Sequence, residues 1–272
     1  MKISVLTAAG PILAFAALLS DCVVSRADEP TRYFLVGNSL TWDTVPSKLD
    51  GDTQWHVDCG KSLPYIVEHP EEPCVKTSTL WPEALGQKQY DVISLQVHYG
   101  STLAQDVEAI SKLIEHQRKA VIVIHTGWAR SAQREAEWTQ SISAAGVMEA
   151  AMSHHPAYFD ALLDRLRAKH PDREFRRTQA MDMLQQVEED IAAGRAPIQA
   201  VPELYRDRIH MNVVTGRYLM HNAMRAALGQ PRSAVGFEML QPKMKTWLDT
   251  VLDRTLKLKP TTSRPTPSRT TS

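Results

Sequence analysis

The stretch Arg32-Tyr33-Phe34-Leu35-Val36-Gly37-Asn38-Ser39-Leu40 decides the fold of this 272-residue chain. It begins with a short, continuous apolar run, which is typical of a strand that is covered on both faces of a parallel sheet. Gly37 then permits a turn, and residues such as Asn38 and Ser39 often cap a helix. We therefore predict a buried strand with Ser39 just beyond its carboxyl end.

Further strands and helices alternate along the chain. Apolar runs at residues 90–95 and 120–124 predict two more buried strands, and residues 54–58 and 174–178 are weaker candidates. Helical i, i+3, i+4 patterns occupy residues 106–116, 156–169, 181–193 and 215–228. This alternation favours βαβ units and a three-layer α/β/α sandwich.

Composition limits the class of partner. Thirty-one basic residues balance thirty-one acidic ones, so the whole chain has no field that would attract nucleic acid or an anionic membrane. A hydrophobic content of 43% in 272 residues is sufficient for one α/β domain. We expect a small or neutral substrate, no nucleic-acid partner, and leave the oligomeric state open.

Both ends of the chain differ from its middle. Residues 1–27 combine Lys2, an apolar stretch and the small residues Ser25 and Ala27, a pattern that predicts a signal peptide cleaved after Ala27. A retained membrane anchor is the alternative, but Gly10 and Pro11 interrupt the run. Residues 259–272 are rich in Pro, Ser and Thr and predict a disordered tail, which leaves a domain at 28–258 and a periplasmic or secreted location.

Two cysteines remain if Cys22 is removed with the signal. Cys59 and Cys74 are an even number in an oxidising compartment, so we expect one disulfide between them. Two unlinked thiols are the alternative, because sequence does not fix the distance between the residues.

A second motif, Asp207-Arg208-Ile209-His210-Met211-Asn212, precedes the last predicted helix and complements Ser39. A neutral hydroxyl is a weak nucleophile, and it needs an imidazole to accept its proton and a carboxylate to hold that imidazole. The two segments therefore predict a catalytic triad of Ser39, His210 and Asp207.

These motifs resemble those of the SGNH or GDSL-type hydrolases. Val36-Gly37-Asn38-Ser39-Leu40 is similar to the Gly-Asp-Ser-Leu block of that superfamily, in a GNSL variant, and the second motif is similar to its Asp-x-x-His block. The resemblance implies a flavodoxin-like fold with a parallel sheet of about five strands. It also implies an acyl-serine mechanism without a metal or other cofactor.

The same resemblance suggests an oxyanion hole. Its donors would be the backbone N–H groups of Ser39 and Gly60, together with an Asn from a Gly-x-Asn-Asp block after the third strand. This chain has Leu95-Gln96-Val97-His98-Tyr99-Gly100-Ser101 in that place. Gln96 carries the same amide and is the expected substitute, with His98 as the competing candidate.

Residues 127–155 form a polar excursion after the fourth predicted strand. His125 and Trp128 at its start are candidates to line the substrate pocket, although a core histidine and a packed tryptophan explain them equally well. His154 and His155 are adjacent but lack a third ligand at helical spacing, so no metal site is predicted.

The sequence hypothesis is an exported serine esterase that removes an acyl group, such as acetyl, from a carbohydrate or another polar alcohol. One alternative is a weak or inactive carbohydrate-binding protein with the same fold, since the usual third block is missing. Another is an acyltransferase that uses the same triad. The assignment of a substrate follows from the resemblance to the superfamily.

Overall fold

A computed structural model describes residues 29–140 and 144–257. Its centre is a sheet of five parallel strands in the order β2-β1-β3-β4-β5. The strands are β1 (Arg32–Gly37), β2 (Asp52–Val57), β3 (Val92–Gln96), β4 (Val121–His125) and β5 (Phe175–Arg177). The predicted α/β class is confirmed, and the strand order is the flavodoxin-like one.

Nine α-helices accompany the sheet in the described part of the chain. They are α1 (Ser39–Asp43), α2 (Leu63–Glu68), α3 (Trp81–Gln87), α4 (Leu103–Ile114), α5 (Arg134–Trp138), α6 (Pro156–Lys169), α7 (Ala180–Ala192), α8 (Thr215–Leu228) and α9 (Pro242–Lys257). Three short 3₁₀ segments lie at Pro46–Lys48, Ala144–Glu149 and Val201–Leu204.

Alternate side chains of β1 show the three layers. Phe34 and Val36 belong to the core cluster that also contains the buried residues of α2, α4 and α6. Tyr33 and Leu35 point the other way and pack in a cluster with Met224 of α8. Because successive side chains of a strand face opposite sides, β1 is covered on both faces, as its continuous apolar run predicts.

The strand register brings the ends of β1, β3 and β4 to one edge. Val36 of β1 is opposite Leu95 of β3, and Gln96 is opposite His125 of β4. Since all the strands are parallel, the segments that follow them meet at the same carboxyl edge, where open α/β sheets place their binding sites.

Some elements differ from the sequence prediction. Helices α2 and α3, of six and seven residues, are too short to show a repeated helical stripe. Helix α9 was not predicted either, although its buried Trp247, Leu248, Val251 and Leu252 have helical spacing. The predicted signal and tail, at 1–27 and 259–272, lie outside the described residues. Within residues 29–140 and 144–257, no helix is long and apolar enough to cross a membrane.

Candidate active site

Ser39 is the first residue of α1 and follows β1 directly through a tight turn. Asn38 caps the helix, because its Oδ1 accepts a hydrogen bond from the backbone N–H of Leu40 at 2.9 Å. A Cβ on Gly37 would lie 2.6 Å from Cβ of Gln96, so the turn has no space for a side chain there. The local sequence thus fixes Ser39 at the carboxyl edge of the sheet.

Gln96 braces this turn, which differs from its predicted role as an oxyanion donor. It is only 1% exposed. Its Oε1 accepts hydrogen bonds from the backbone N–H groups of Asn38 at 3.1 Å and Thr41 at 2.9 Å, and from the Thr41 hydroxyl at 2.6 Å. Its Nε2 donates to Oδ1 of Asn38 at 2.8 Å. The longer amide stem folds into the turn beneath the serine, so Gln96 does not line the groove.

The Asp207 carboxylate organises the second motif through three short-range hydrogen bonds. Its Oδ1 accepts from the backbone N–H groups of Ile209 at 2.9 Å and His210 at 2.8 Å, and its Oδ2 lies 2.8 Å from His210 Nδ1. Desolvation raises the pKa of Asp207, but these hydrogen bonds outweigh it and lower the pKa to about 2. The group is therefore a carboxylate at neutral pH, and it fixes the plane of the imidazole.

The two motifs meet in space although 171 positions separate them in the chain. His210 Nε2 lies 2.9 Å from Ser39 Oγ, while Nδ1 of the same ring faces Asp207. The structure therefore brings together the three predicted triad residues. A hydroxyl, an imidazole and a carboxylate in this relay can activate the hydroxyl as a nucleophile.

Asp43 was not predicted as a site residue, yet it connects the two motifs. Its carboxylate is fully buried and accepts a hydrogen bond from the backbone N–H of Met211 at 2.8 Å. The guanidinium groups of Arg206 and Arg217 also bind it, with shortest N–O distances of 2.9 Å and 2.7 Å. Asp43 therefore holds both flanks of His210. Its position four residues after Ser39, one helical turn away, was a usable signal.

Trp128 also holds the His210 loop and does not line the groove. It is fully buried, and its indole N–H donates to the backbone carbonyl of Ile209 at 2.7 Å. Two neighbouring hydrogen bonds also join this segment to the loop. Ser131 N–H donates to the Arg208 carbonyl at 2.9 Å, and the Tyr205 hydroxyl donates to the Ala129 carbonyl at 3.1 Å. The start of the polar excursion thus supports the loop that carries His210.

Two backbone N–H groups are free to face a substrate oxygen. Those of Ser39 and Gly60 make no hydrogen bond with another residue in the described part of the chain. Gly60 has φ +73°, which favours glycine, and a Cβ there would meet open space. Both residues line the groove, as does His98. Burial, followed by His154 and Arg130, lowers the pKa of His98 to about 3, so its ring is neutral and keeps one N–H.

A disulfide lies beside Gly60. Cys59 and Cys74 are bonded, with Cα atoms 5.6 Å apart, and the backbone N–H of Cys59 also donates to Cys74 Sγ at 2.9 Å. The structure therefore contains the expected bridge. It ties the segment that carries Gly60 to a second point of the chain 15 residues away.

His125, the other proposed pocket residue, lies inside the protein. It is 1% exposed, and its Nδ1 is 3.1 Å from the Thr178 hydroxyl. Burial lowers its pKa to about 3. His125 is a core histidine at the end of β4, as the alternative interpretation held.

The groove around Ser39 is open and has a volume of about 760 Å³. Its lining consists of Ser39, Cys59, Gly60, His98, Arg130, Asp207, Arg208, Ile209 and His210. Within the described residues, the only cluster of potential metal ligands is His69, Glu71 and Glu72, which does not line this groove. We assign no metal role to that exposed cluster.

Comparisons with known proteins point to the fold. No family model matches the sequence, and no curated protein matches it. Among solved structures, a DUF4886 family protein from Bacteroides uniformis has a TM-score of 0.53 at 15% identity, over 84% of this chain and 95% of that one. At this identity, the likeness shows a shared fold.

Two further structures resemble the chain more distantly. A carbohydrate esterase family 3 protein from Talaromyces cellulolyticus has a TM-score of 0.41 at 11% identity, over 73% of this chain and 96% of that one. An acetyl xylan esterase from Butyrivibrio proteoclasticus has a TM-score of 0.35 at 8% identity, over 55% of each chain.

The strand order, the serine after β1 and the Asp-x-x-His pair before α8 all agree with the sequence resemblance. This chain has a flavodoxin-like three-layer α/β/α fold, which it shares with the DUF4886 family protein.

Proposed function

We propose that the protein is a serine esterase that cleaves short acyl esters through an acyl-serine intermediate. The observation that carries the proposal is the continuous relay from Asp207 through His210 to Ser39, with successive distances of 2.8 Å and 2.9 Å. Each contact is within the range required for proton transfer between a nucleophile and its base.

In the first half of the reaction, Ser39 Oγ attacks the ester carbonyl carbon while His210 Nε2 accepts the serine proton. The Asp207 carboxylate stabilises the imidazolium that forms. When the tetrahedral intermediate collapses, Nε2 returns this proton to the departing alcohol oxygen. The acyl group remains on Ser39.

The second half repeats these steps with water. His210 Nε2 accepts a proton from the water as its oxygen attacks the acyl carbon, and the proton then passes to Ser39 Oγ. This releases a carboxylic acid and restores the hydroxyl. The groove is open at this point, so water has access to the acyl carbon.

The negative charge on the substrate oxygen needs donors that are in place before the reaction. We assign this role to the free N–H groups of Ser39 and Gly60 and to the ring N–H of His98. Because His98 is neutral, it stabilises the oxyanion by donating a hydrogen bond without giving up its proton. This assignment replaces Gln96.

Different observations support the substrate class and the location. Acetyl as the acyl group and a carbohydrate as the alcohol rest on the resemblance, and Trp128 is buried, so it cannot stack on a sugar ring. Export is supported by the predicted signal and by the Cys59–Cys74 disulfide, which suits an oxidising compartment. We propose a periplasmic or secreted enzyme acting on an ester of a polar alcohol.

The test uses p-nitrophenyl acetate and a fluorophosphonate probe on the purified protein. The wild type should hydrolyse the ester and be labelled, and Ser39→Ala should lose labelling and at least about 10⁴-fold in rate. Ser111→Ala, which removes another partly buried hydroxyl on α4, should retain both properties. A folded wild type that is neither labelled nor active would overturn the proposal in favour of a binding protein.

A further inference from the structure

Two arginines lie in the groove beside the triad. Arg130 and Arg208 both line the cavity that contains Ser39 and His210. They come from different segments, the start of the polar excursion and the Asp-x-x-His loop, which the hydrogen bond from Ser131 N–H to the Arg208 carbonyl joins at 2.9 Å. This contact sets both guanidinium groups on adjacent, fixed stretches of backbone.

Neither guanidinium has a carboxylate partner among the described residues. Arg130 donates to Gln133 Oε1 at 3.2 Å, and the side chain of Arg208 makes no hydrogen bond or ion pair in the same part of the chain, where only its backbone carbonyl accepts. Arg206, in the same loop, differs because Asp43 binds it. Arg206 thus has the buried carboxylate of Asp43 as its partner, whereas Arg130 and Arg208 have no carboxylate partner among the described residues.

The carboxylate in the groove does not neutralise them. Asp207 is already bound by His210 Nδ1 and by two backbone N–H groups. His98 is neutral. The lining therefore carries two guanidinium groups without an ion-pair partner against the single negative charge of Asp207, in contrast to the balanced charge of the whole chain.

Arg130 is also oriented before any ligand arrives. Its guanidinium lies 4.9 Å from the centre of the Tyr99 ring. The Tyr99 hydroxyl donates to Glu137 Oε1 at 2.5 Å, and the other oxygen of Glu137 accepts from the backbone N–H of His154 at 2.8 Å. A planar guanidinium held on a fixed ring loses little entropy on binding an oxyanion, to which it can donate two parallel hydrogen bonds.

We propose that the physiological substrate is an ester that carries a carboxylate, and that Arg130 and Arg208 bind this group while Ser39 attacks the ester. The inference rests on the proposed esterase function and adds the charge class of the substrate. It makes the two arginines specificity residues of the groove.

The experiment compares kcat/KM for two matched pairs of esters. In 4-acetoxybenzoate and its methyl ester, the charge differs on the alcohol side. In mono-4-nitrophenyl succinate and its methyl ester, it differs on the acyl side. The ratio of anionic to neutral kcat/KM is measured in the wild type, Arg130→Gln, Arg208→Gln and the control Arg165→Gln, an exposed arginine on α6.

For at least one pair, the ratio should fall roughly tenfold in each groove variant and stay unchanged in Arg165→Gln, because a charge-assisted hydrogen bond is lost. Fluorophosphonate labelling checks that each variant keeps an assembled site. Ratios that are equal in all four proteins overturn the inference, while Ser39-dependent hydrolysis of the neutral esters would leave the esterase proposal standing. Absence of any hydrolysis or labelling in the wild type would overturn both.

Discussion

The turn that carries Ser39, at residues 37–41, and the Asp-x-x-His loop, at residues 205–211, are held in place by different means. Ser39 directly follows a buried strand, and its turn is braced by Gln96 from the adjacent strand β3. His210 lies in a loop that is closed by an isolated bridge between Tyr205 and Met211 and braced from within by the Asp207 carboxylate. Distant side chains supply the remaining support of this loop.

The two regions should therefore contribute differently to the stability of the fold and to catalysis. The turn is continuous with the core of the sheet, so damage to it should lower the stability of the whole fold. The loop has few backbone hydrogen bonds of its own and can shift locally at lower cost. A substitution that removes one of its supports should therefore lower kcat strongly while it lowers the free energy of unfolding only moderately.

Among changes to the supports of the two regions, Asp43→Asn is expected to have the largest combined effect on rate and stability. The substitution removes the charge that binds Arg206 and Arg217 and replaces one of the two acceptor oxygens with an NH2 group, so either the arginines or the Met211 N–H lose their acceptor. A displacement of His210 by about 1 Å would lower kcat on the order of 10²-fold. Urea unfolding should show a loss of about 2–3 kcal/mol, below the roughly 3–5 kcal/mol of a fully buried pair, because both arginines are partly exposed.

Asp190→Asn is a matched control for this change. Asp190 is also buried and bound by two arginines, Arg195 and Arg254, but it lies on α7 where that helix packs against α9, away from the groove. It should lose comparable stability and keep its kcat. Equal losses of kcat in the two variants would contradict a positioning role for Asp43.

Substitutions at Gln96 and His98 distinguish the two candidates for the third oxyanion donor. Gln96→Ala would leave two buried N–H groups and one hydroxyl in the turn without an acceptor, and should cost about 3 kcal/mol of stability. His98→Ala should cost little stability but lower kcat roughly 10²-fold. His98→Asn, which restores a side-chain donor, should recover part of the rate. Full activity in His98→Ala would rule out that donor.

The sequence could predict the features that depend on neighbouring residues, but not those that depend on contacts between distant residues. The strand before Ser39, the serine itself and the Asp207–His210 pair depend on patterns of a few neighbouring residues, and all were predicted. Gln96 was assigned the wrong role, because its partners Asn38 and Thr41 lie 58 and 55 positions away. Asp43 was missed for the same reason, since 168 positions separate it from Met211.

The orientation of an aromatic side chain was equally hard to predict. Trp128 follows a strand in a polar segment, which suits a pocket wall as well as a buried support. Which of these two roles Trp128 has depends on whether its indole N–H can reach the carbonyl of Ile209, 81 positions later in the chain. Such long-range contacts leave no periodic pattern in the sequence.

Trp128→Phe tests the loop with a smaller change. Phenylalanine keeps most of the packing but removes the hydrogen bond to Ile209, a loss of about 1 kcal/mol. We expect kcat to fall about fivefold with KM nearly unchanged, since the groove lining is intact. Trp81→Phe is the control, because Trp81 donates a similar indole hydrogen bond to the Ile66 carbonyl outside the groove. A decrease of kcat in both variants would show that the effect is not specific to the loop.

The smallest expected effect is on the pH dependence of the unfolding stability, to which the two regions should contribute differently. Burial lowers the pKa of four histidines outside the loop to about 3 or 4, namely His56, His98, His125 and His221. In the unfolded chain, they would bind protons near pH 6.5. The unfolded state thus binds more protons between pH 6.5 and about 4, and stability falls as the pH decreases through this window.

Asp207 acts in a different window. Its pKa is lowered to about 2 from the ordinary 3.8, so its contribution is lost only below about pH 4. Urea midpoints between pH 7 and 4.5 should therefore fall in the wild type and in Asp207→Asn alike, and less steeply in His125→Gln. Each histidine can contribute a slope of at most about 1.4 kcal/mol per pH unit. If Asp207→Asn removed the slope, the acid sensitivity would arise in the loop, and the four buried histidines would not explain it.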